Sequence, residues 1–451
     1  MSELIRIRKG LNIKLQGEAV KSIAQLDLPE IFAIHPPDFK GIKPRLSIKV
    51  GDEVLSGTPL FYDKKNDKVN ICSPVSGQVA EITYGEKREI LSIQILPDKT
   101  IKYALLPGAM SLDSNKEHLI EILLKFGAWP FIRQRPYGIV ANPNEKPKSI
   151  FISAFDSHPL SPDINFILKN SIDDFQNGIE ILRKISECKI HLNIEADTPA
   201  DSIFYNIKGV QINKISGPHP AGNVGIQIHH IDPLNKGEVV WYINPQDVLI
   251  IGKLFSDGIY DASRVIAVTG SQVVHPQYYK TIIGCSLKNI INDAKIKEGT
   301  NRFISGNVLT GSKISPPGFL GYYDSQITII PEGHESEFMG WLSPGFNKFS
   351  MSRTFFSWLT PNKKFNLNSN LHGEERPFVM TGQYEKVLPM DIYPVQLLKS
   401  ILIEDVDMME KLGIYEVAEE DFALCEFVCT SKIKSQDIIR RGLEMIQKEF
   451  S

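Results

Sequence analysis

Residues 44–95 read PRLSIKVGDEVLSGTPLFYDKKNDKVNICSPVSGQVAEITYGEKREILSIQI, and this stretch decides the first fold prediction. Short runs of alternating apolar residues are joined by Gly-Asp, Ser-Gly and Tyr-Gly-Glu turns, which is typical of a small all-β barrel built from hairpins. Gly51, Gly57 and Gly77 would allow the positive φ angles that the corners of such a barrel require. We therefore predict a barrel domain over residues 1–100.

The order of these turns resembles the barrel-sandwich domain of biotinyl and lipoyl carriers. A carrier attaches its prosthetic group to one exposed lysine at a hairpin tip, and Lys64, directly after Asp63, is the candidate. The segment from Asp63 to Lys68 predicts a longer hairpin with several lysines, and it lacks the Met-Lys-Met pattern of biotin acceptors. A solvated charged turn is the favoured interpretation, and a carrier function through Lys64 is the alternative.

Length and composition limit the number of domains and the classes of function that this chain can have. A chain of 451 residues suggests three or four domains. The net charge of −3 comes from interspersed acidic and basic residues without a basic stripe, which argues against nucleic-acid binding. The five scattered cysteines fit a reducing compartment. No stretch reaches the roughly 18–20 apolar residues of a spanning helix, so we expect a soluble chain or one held at a membrane by a partner.

The middle of the chain alternates helical and strand patterns. Helical spacing appears over 112–127 and again from Phe175 to Ile185, and residues 245–255 read as a helix that begins at Pro245. Short apolar strands are predicted at 149–154, 190–194, 209–215 and 239–243. This alternation predicts an open Rossmann-like α/β sheet over residues 101–258. Residues 259–330 become β-rich, and the tail becomes helical.

A nucleotide-binding loop is the next question for an α/β sheet. Neither GxGxxG nor GxxxxGK[ST] is present. The turn after the first predicted helix carries Trp129, Pro130 and Phe131, which are too bulky where a backbone would have to approach a pyrophosphate. The sequence therefore predicts no bound dinucleotide or flavin. Arg133 and Arg135 follow, either as contacts for an anionic ligand or a partner's carboxylates or as ordinary surface arginines.

The loop SGPHPAGNVG at 216–225 and the following IQIHH combine prolines, glycines and histidines. The spacing of the histidines does not suit a metal, and His229 and His230 would point to opposite faces if they lay on a strand. One interpretation is a rigid loop at a domain or subunit contact. The other is a wall of a quinone pocket, with an imidazole that donates to a quinone oxygen. The candidate residues are Gly217, His219, Pro220, Gly222, His229 and His230, together with Arg133, Arg135 and, as a slot lining or simply helix core, Phe255.

Two cysteines near the end of the chain raise the question of an iron–sulfur site. A [4Fe–4S] cluster needs four thiolates, and only Cys425 and Cys429 match the usual spacing, because Glu419 and Phe422 occupy the other two positions. The sequence predicts no cluster. The two cysteines are interpreted as small apolar residues on one helix.

Together, the barrel start, GPHPAG at 217–222, VVWYINPQDVLIIGKLF at 239–255, VIAVTGSQV at 265–273 and EEDFALCEFVC at 419–429 make the chain similar to one family. It resembles the A-subunit family of the Na⁺-translocating NADH:quinone oxidoreductases, which is related to the C-subunit of the Rnf complex. The resemblance implies a barrel-sandwich (biotinyl/lipoyl-like) domain over 1–100 and a flavin-free Rossmann-like domain over 101–258. It also implies a β-grasp domain of the soluble-ligand-binding kind over 259–330 and a mainly helical C-terminal domain, a relic of an iron–sulfur module, over 331–451.

The same resemblance implies the chain's role. It would be a peripheral subunit on the cytoplasmic face of the bacterial inner membrane, in a complex with five partner subunits. The complex passes electrons from NADH to ubiquinone and exports Na⁺. FMN, riboflavin, FAD and iron–sulfur would belong to the partners, with no cofactor, metal or catalytic residue in this chain. Its expected task is to support the quinone-reduction end, chiefly against the membrane subunit that forms the quinone site.

Overall fold

The computed structural model describes residues 3–106, 115–316, 318–333 and 337–449, and the elements below are those of these residues. The strands are β1 (Glu3–Arg6), β2 (Val20–Gln25), β3 (Phe32–Ile34), β4 (Pro44–Leu46), β5 (Glu53–Val54), β6 (Pro59–Asp63), β7 (Asn66–Cys72), β8 (Gly77–Tyr84), β9 (Ile90–Pro97), β10 (Arg133–Arg135), β11 (Ile139–Val140), β12 (Ser149–Ser153), β13 (Lys189–Glu195), β14 (Gln211–Ser216), β15 (Val240–Ile243), β16 (Ser263–Thr269), β17 (Gln277–Ile282), β18 (Asn301–Ser305), β19 (Ser312–Ile314) and β20 (Gln326–Pro331). The helices are α1 (Lys116–Lys125), α2 (Ile164–Leu168), α3 (Ile172–Ser186), α4 (Val224–Ile231), α5 (Pro245–Ser256), α6 (Lys288–Ala294), α7 (Tyr384–Val387), α8 (Pro394–Leu402), α9 (Val406–Lys411), α10 (Ala423–Val428) and α11 (Ser435–Glu449).

The α/β part is a seven-stranded sheet in the order β1-β14-β13-β12-β15-β10-β11. The first five strands in that order run parallel to one another. Strand β10 is antiparallel to β15, and β11 is antiparallel to β10. Side chains alternate between the two faces of each strand. Ile150 and Ile152 of β12 pack in the same core as α3 and α5, whereas Phe151 faces the core that α4 shares with the C-terminal helices. The predicted open α/β sheet is confirmed, and the start of the first predicted helix, 112–114, lies outside the described residues.

The N-terminal barrel consists of two sheets, β3-β9-β8-β5 and β4-β6-β7. The interior is filled by residues such as Leu60, Phe61 and Ile93, none of which is exposed. The expected long hairpin at 63–68 is wrong: β6 and β7 pair from Asp63 and Asn66 onward, so the turn is only Lys64 and Lys65. The reason is that Asn66, Asp67 and Lys68 continue strand β7 despite their polarity.

A third sheet has the order β19-β18-β20-β16-β17-β2. Its last strand comes from residues 20–25, and β1 belongs to the α/β sheet, although both lie inside the expected barrel domain of 1–100. The segment before the barrel thus contributes one strand to the α/β sheet and one strand to the third sheet. Sequence patterns do not report such pairing, because a strand's own residues do not identify the sheet it joins.

The C-terminal part is helical only from α7 onward. Between residues 337 and 383 the described structure contains two 3₁₀ turns, Gly340–Leu342 and Phe356–Leu359, and otherwise irregular chain. Cys425 lies in α10 and both cysteines are buried, but Cys429 follows the helix as its extended C-cap residue, so the prediction that both lie on one helix holds for Cys425 only. None of the helices in the described ranges combines the length and the apolar character that a membrane span requires.

Candidate functional site

A cleft opens at the carboxyl edge of the parallel sheet. After β12, the next strands of the chain, β13 and β14, are added on one side of it, whereas β15 pairs with its other side. The direction in which strands are added therefore reverses between β12 and β15. In open α/β sheets, ligands bind at this reversal, outside the carboxyl ends of the strands. The cleft here has a volume of about 180 Å³. It is lined by the loops that follow these strands, by the start of α4 and α5, by residues 306–326 next to the third sheet, and by Glu420.

Arg133 of β10 is the principal cation in the wall of the cleft. Its guanidinium carbon lies 4.6 Å from the ring centres of both Tyr242 and Tyr323, so two aromatic faces clamp it. One terminal nitrogen donates to Asn244 Oδ1 at 3.4 Å, and the buried Nε has no acceptor. Arg133 is therefore held in place while part of its hydrogen-bonding capacity is unused. The expectation of an ordinary surface arginine is wrong for this residue.

Sequence reasoning missed the polar cluster that follows β12. His158 Nδ1 lies 2.6 Å from Asp156 Oδ1, and His158 Nε2 is buried without a partner. The His219 ring lies 4.6 Å from the His158 ring, and its Nδ1 meets Ser157 Oγ at 3.1 Å. The sequence AFDSHPL at 154–160, at the end of the strand predicted at 149–154, indicates a polar turn with an acidic residue and a histidine. This signal is weak, because polar turns after strands contain the same residue types.

The two histidines have opposite charge preferences. Burial works against the charged form of His158, but the Asp156 carboxylate outweighs it and raises the pKa of His158. Burial and the neighbouring His158 hold the pKa of His219 well below its usual range. The cluster therefore favours a proton on His158 and a neutral ring at His219.

The low pKa of His219 predicts a measurable acid sensitivity. A histidine in the unfolded chain has a pKa of about 6.5, so the stabilisation from keeping His219 neutral is complete above that pH and is lost progressively as the pH falls below it toward the lower pKa of the folded state. The variant His219→Gln removes this contribution. We expect the urea-unfolding midpoint of the wild type to fall more than that of the variant between about pH 7.5 and about pH 5.5. An equal fall in both proteins would contradict the assignment.

Arg135 does not face the cleft. Its guanidinium is buried and pairs with Glu420 and Asp421 of the same chain, each at 2.6 Å. A Cβ on Gly225 would lie 2.7 Å from Arg135 Nη1 and 2.5 Å from Asp421 Oδ2, so glycine is needed for this close approach. Both expectations for Arg135, a ligand contact and a surface position, are replaced by an ion pair that joins the α/β sheet to the C-terminal helices.

His229 and His230 also serve this internal contact. They lie on helix α4, not on a strand, because the connection from β14 to β15 must cross back over the sheet. His229 Nδ1 bonds Glu416 Oε2 at 2.7 Å, and His229 Nε2 accepts from the Asp391 N–H at 3.1 Å. His230 Nε2 donates to Pro389 O at 2.9 Å. Neither histidine lines the cleft.

The proline–glycine loop after β14 has a mixed role. Gly217 has φ 144°, and a Cβ there would lie 2.3 Å from Ile7 O, so this glycine accommodates the N-terminal chain rather than a ligand. Pro220 is buried beside His219. Gly222 reaches the cleft, and its N–H donates to Ser157 Oγ at 2.8 Å. Phe255 is buried in α5 with the helix core.

Three family models match successive parts of the chain up to residue 315. Family models described as the NqrA N-terminal barrel-sandwich hybrid domain, the NqrA second alpha/beta domain and the NQRA C-terminal domain match residues 5–98, 114–260 and 265–315. Across the described residues, no group of three His, Cys, Asp or Glu side chains could hold a metal ion.

Curated relatives match over their full length. The A-subunit of the Na(+)-translocating NADH-quinone reductase of Hahella chejuensis is 39% identical, and the match covers 99% of this chain and 100% of the relative. The same subunit of Rhodopirellula baltica is 37% identical, and the match covers 98% of each chain. A solved chain of an NAD⁺-reducing [NiFe]-hydrogenase is 12% identical over 51% of this chain and 52% of that chain, with a TM-score of 0.34, which is too low to carry an argument. The resemblance in the sequence is thus confirmed, and this chain belongs to the NqrA family, the A-subunits of the Na⁺-translocating NADH-quinone reductases.

Proposed function

We propose that this chain is the peripheral subunit of a Na⁺-translocating NADH:ubiquinone reductase, on the cytoplasmic face of the bacterial inner membrane, and that it supports quinone reduction. Full-length relatives that carry the name of that reductase support the proposal. In this account the five other subunits carry FMN, riboflavin, FAD and iron–sulfur, and they perform electron transfer and Na⁺ export. This chain positions the substrate.

The cleft at the carboxyl edge is the proposed site for the quinone head group. A quinone needs an apolar slot and one or two donors to its carbonyl oxygens. Phe155, Ile164 and Val224 supply apolar lining. The observation that carries the proposal is the pair of unused nitrogens at Arg133 Nε and His158 Nε2. In the protonated ring that Asp156 favours, both nitrogens of His158 donate.

The size of the cleft limits what it can hold. Its volume of about 180 Å³ is below the roughly 300–1,000 Å³ typical of sites for drug-sized ligands. A single ring with small substituents fits this space, and an isoprenoid tail would extend out of it. The donors in this proposal are Arg133 and His158, instead of the His219, His229 and His230 expected from the sequence.

Removing the chain from the complex tests the proposed division of labour. Complexes assembled without this chain are expected to keep NADH-dependent flavin reduction and to lose quinone reduction, and adding the purified chain should restore it. Loss of flavin reduction together with quinone reduction would contradict the proposal, as would quinone reduction that persists without the chain.

The carrier alternative makes a different prediction at Lys64. The Lys64 N–H donates to Lys43 O at 2.8 Å, and the buried Asp63 accepts from the N–H groups of Lys43 and Lys65. These bonds extend the sheet to the end of the hairpin, so the turn lies against β4. We expect the intact mass of the protein from its native host to show no lipoyl or biotinyl addition. A stoichiometric addition at Lys64 would revive the carrier function.

A further inference from the structure

Four large aromatic side chains are exposed in one segment, residues 337–364, which we call the aromatic loop. The exposed fractions are 92% for Phe338, 56% for Phe346, 51% for Phe356 and 49% for Trp358. Among the described residues, the one other phenylalanine or tryptophan with a large exposed fraction is Phe427, at 39%. Apolar side chains exposed together in this way mark interaction sites on soluble surfaces.

The aromatic loop closes on itself through hydrogen bonds. The Phe356 N–H donates to Pro344 O at 2.9 Å, and Lys348 Nζ donates to Gly340 O at 2.7 Å. Lys363 Nζ donates to Phe346 O at 2.9 Å. The rings of Phe346 and Phe356 lie 5.9 Å apart in an edge contact. The backbone is therefore tied while the aromatic side chains face outward.

We infer that the aromatic loop is the docking surface for another subunit of the reductase, at a segment that presents apolar side chains flanked by carboxylates. This inference rests on the proposed peripheral role in the complex, and it names the surface through which that role is carried out. With Met339, Leu342 and Leu359, which are also exposed, the loop offers seven large apolar side chains. If each of the four aromatic side chains exposes half of the roughly 150–250 Å² of such a residue, they offer on the order of 400 Å². The three aliphatic side chains add to this area and bring it closer to the roughly 800 Å² per partner of a stable interface.

The charge of the aromatic loop favours an acidic binding partner over a second copy of this chain. The loop contains four basic residues, Lys348, Arg353, Lys363 and Lys364, and one acidic residue, Glu337, so its net charge is +3 against −3 for the whole chain. A second copy of this chain would place two positive loops against each other, which costs energy at an interface. An acidic partner segment is attracted instead.

A lipid surface is the less suitable occupant. Binding to anionic lipid needs lysines that project toward the head groups. Lys348 and Lys363 instead donate to carbonyl oxygens of the loop, and Lys364 pairs with Glu18 at 2.9 Å. These three cations thus stiffen and rim the loop. An aromatic centre with a charged rim is the usual anatomy of a protein interface.

Photo-crosslinking at the centre of the loop tests the inference. A benzophenone amino acid in place of Trp358, in the assembled complex, is expected to crosslink to a peptide of another subunit that contains apolar and acidic residues. Crosslinks to lipid alone, or to a second copy of this chain, would overturn it. If the wild-type chain does not co-purify with any other subunit, the proposed function fails rather than the assignment of the surface.

A pair of substitutions gives a second readout. Phe346→Asp with Trp358→Asp is expected to reduce the fraction of this chain that co-purifies with the complex at least tenfold, while the circular dichroism and melting temperature of the purified chain stay unchanged. The matched control is Tyr84→Asp, which changes an aromatic side chain of 53% exposure on the barrel and should assemble normally. Normal assembly of the double variant would refute the inference even if the crosslinking experiment gave no product.

Discussion

Replacing Arg135 with alanine is expected to destabilise the protein by about 3–5 kcal/mol, because removal of one partner of a buried ion pair leaves the other charge unpaired. Arg135 is 1% exposed and its partner Asp421 is not exposed at all, so water cannot replace the guanidinium. The same residue holds Glu420 at 2.6 Å. The C-terminal helices should therefore separate first, and limited proteolysis should cut between the α/β sheet and α10. Denaturant unfolding gives the free-energy loss.

An exposed arginine in the same region is the matched control for Arg135. Arg441 pairs with Glu404, but both side chains are more than half exposed. Such pairs contribute roughly 0–1 kcal/mol, so Arg441→Ala should change stability by no more than that. If the two variants lose similar stability, the buried pair is not what joins the two parts of the chain.

Replacing Arg133 with methionine is expected to raise the KM of the assembled complex for ubiquinone by roughly 10- to 100-fold. This range corresponds to the loss of one charge-assisted hydrogen bond of roughly 1.5–3 kcal/mol. Methionine keeps an apolar stem between Tyr242 and Tyr323, so the walls of the cleft should stay in place. Steady-state kinetics with a short-chain ubiquinone measure the effect, and the rate of flavin reduction by NADH should not change.

Two further substitutions separate the donor role of Arg133 from general electrostatics. Arg133→Lys keeps the charge but loses the planar group that stacks on the tyrosines, so an intermediate KM is expected. Arg45 of the barrel also lies over a tyrosine, with its guanidinium carbon 6.0 Å from the ring centre of Tyr62, and Arg45→Met should leave the KM unchanged. An unchanged KM in Arg133→Met would remove this residue from the quinone site.

The elements of the α/β sheet were predictable because their patterns are local. The strand predicted at 190–194 forms as Lys189–Glu195, and the helix predicted from Pro245 forms as Pro245–Ser256. The alternating run at 226–230 does not by itself decide between strand and helix, since Ile-Gln-Ile fits a strand of period two as well as one turn of a helix. Only the need to cross back over the sheet decides for the helix, and that need depends on strand order.

The site was harder to predict than the fold because distant residues build it. Arg133 was identified from sequence, but the tyrosines that clamp it come from strand β15 and from residue 323, nearly two hundred positions away. Asp156 and His158 are close in sequence and directly follow a predicted strand, but they were not identified from sequence, since an ordinary polar turn contains the same residue types. The acidic partners of Arg135 lie 285 and 286 positions further along the chain. Motif spacing carries no information about contacts at such separations.

The central claim is that a quinone head group binds in the cleft between β12 and β15, and photo-labelling measures this directly. A photoreactive ubiquinone analogue in the assembled complex, followed by peptide mapping, should label residues 153–164 or 222–224 of this chain, and excess ubiquinone should suppress the label. The Arg133→Met complex should show less label at the same analogue concentration. Competable labelling found only in other subunits, with none in these peptides, would contradict the account.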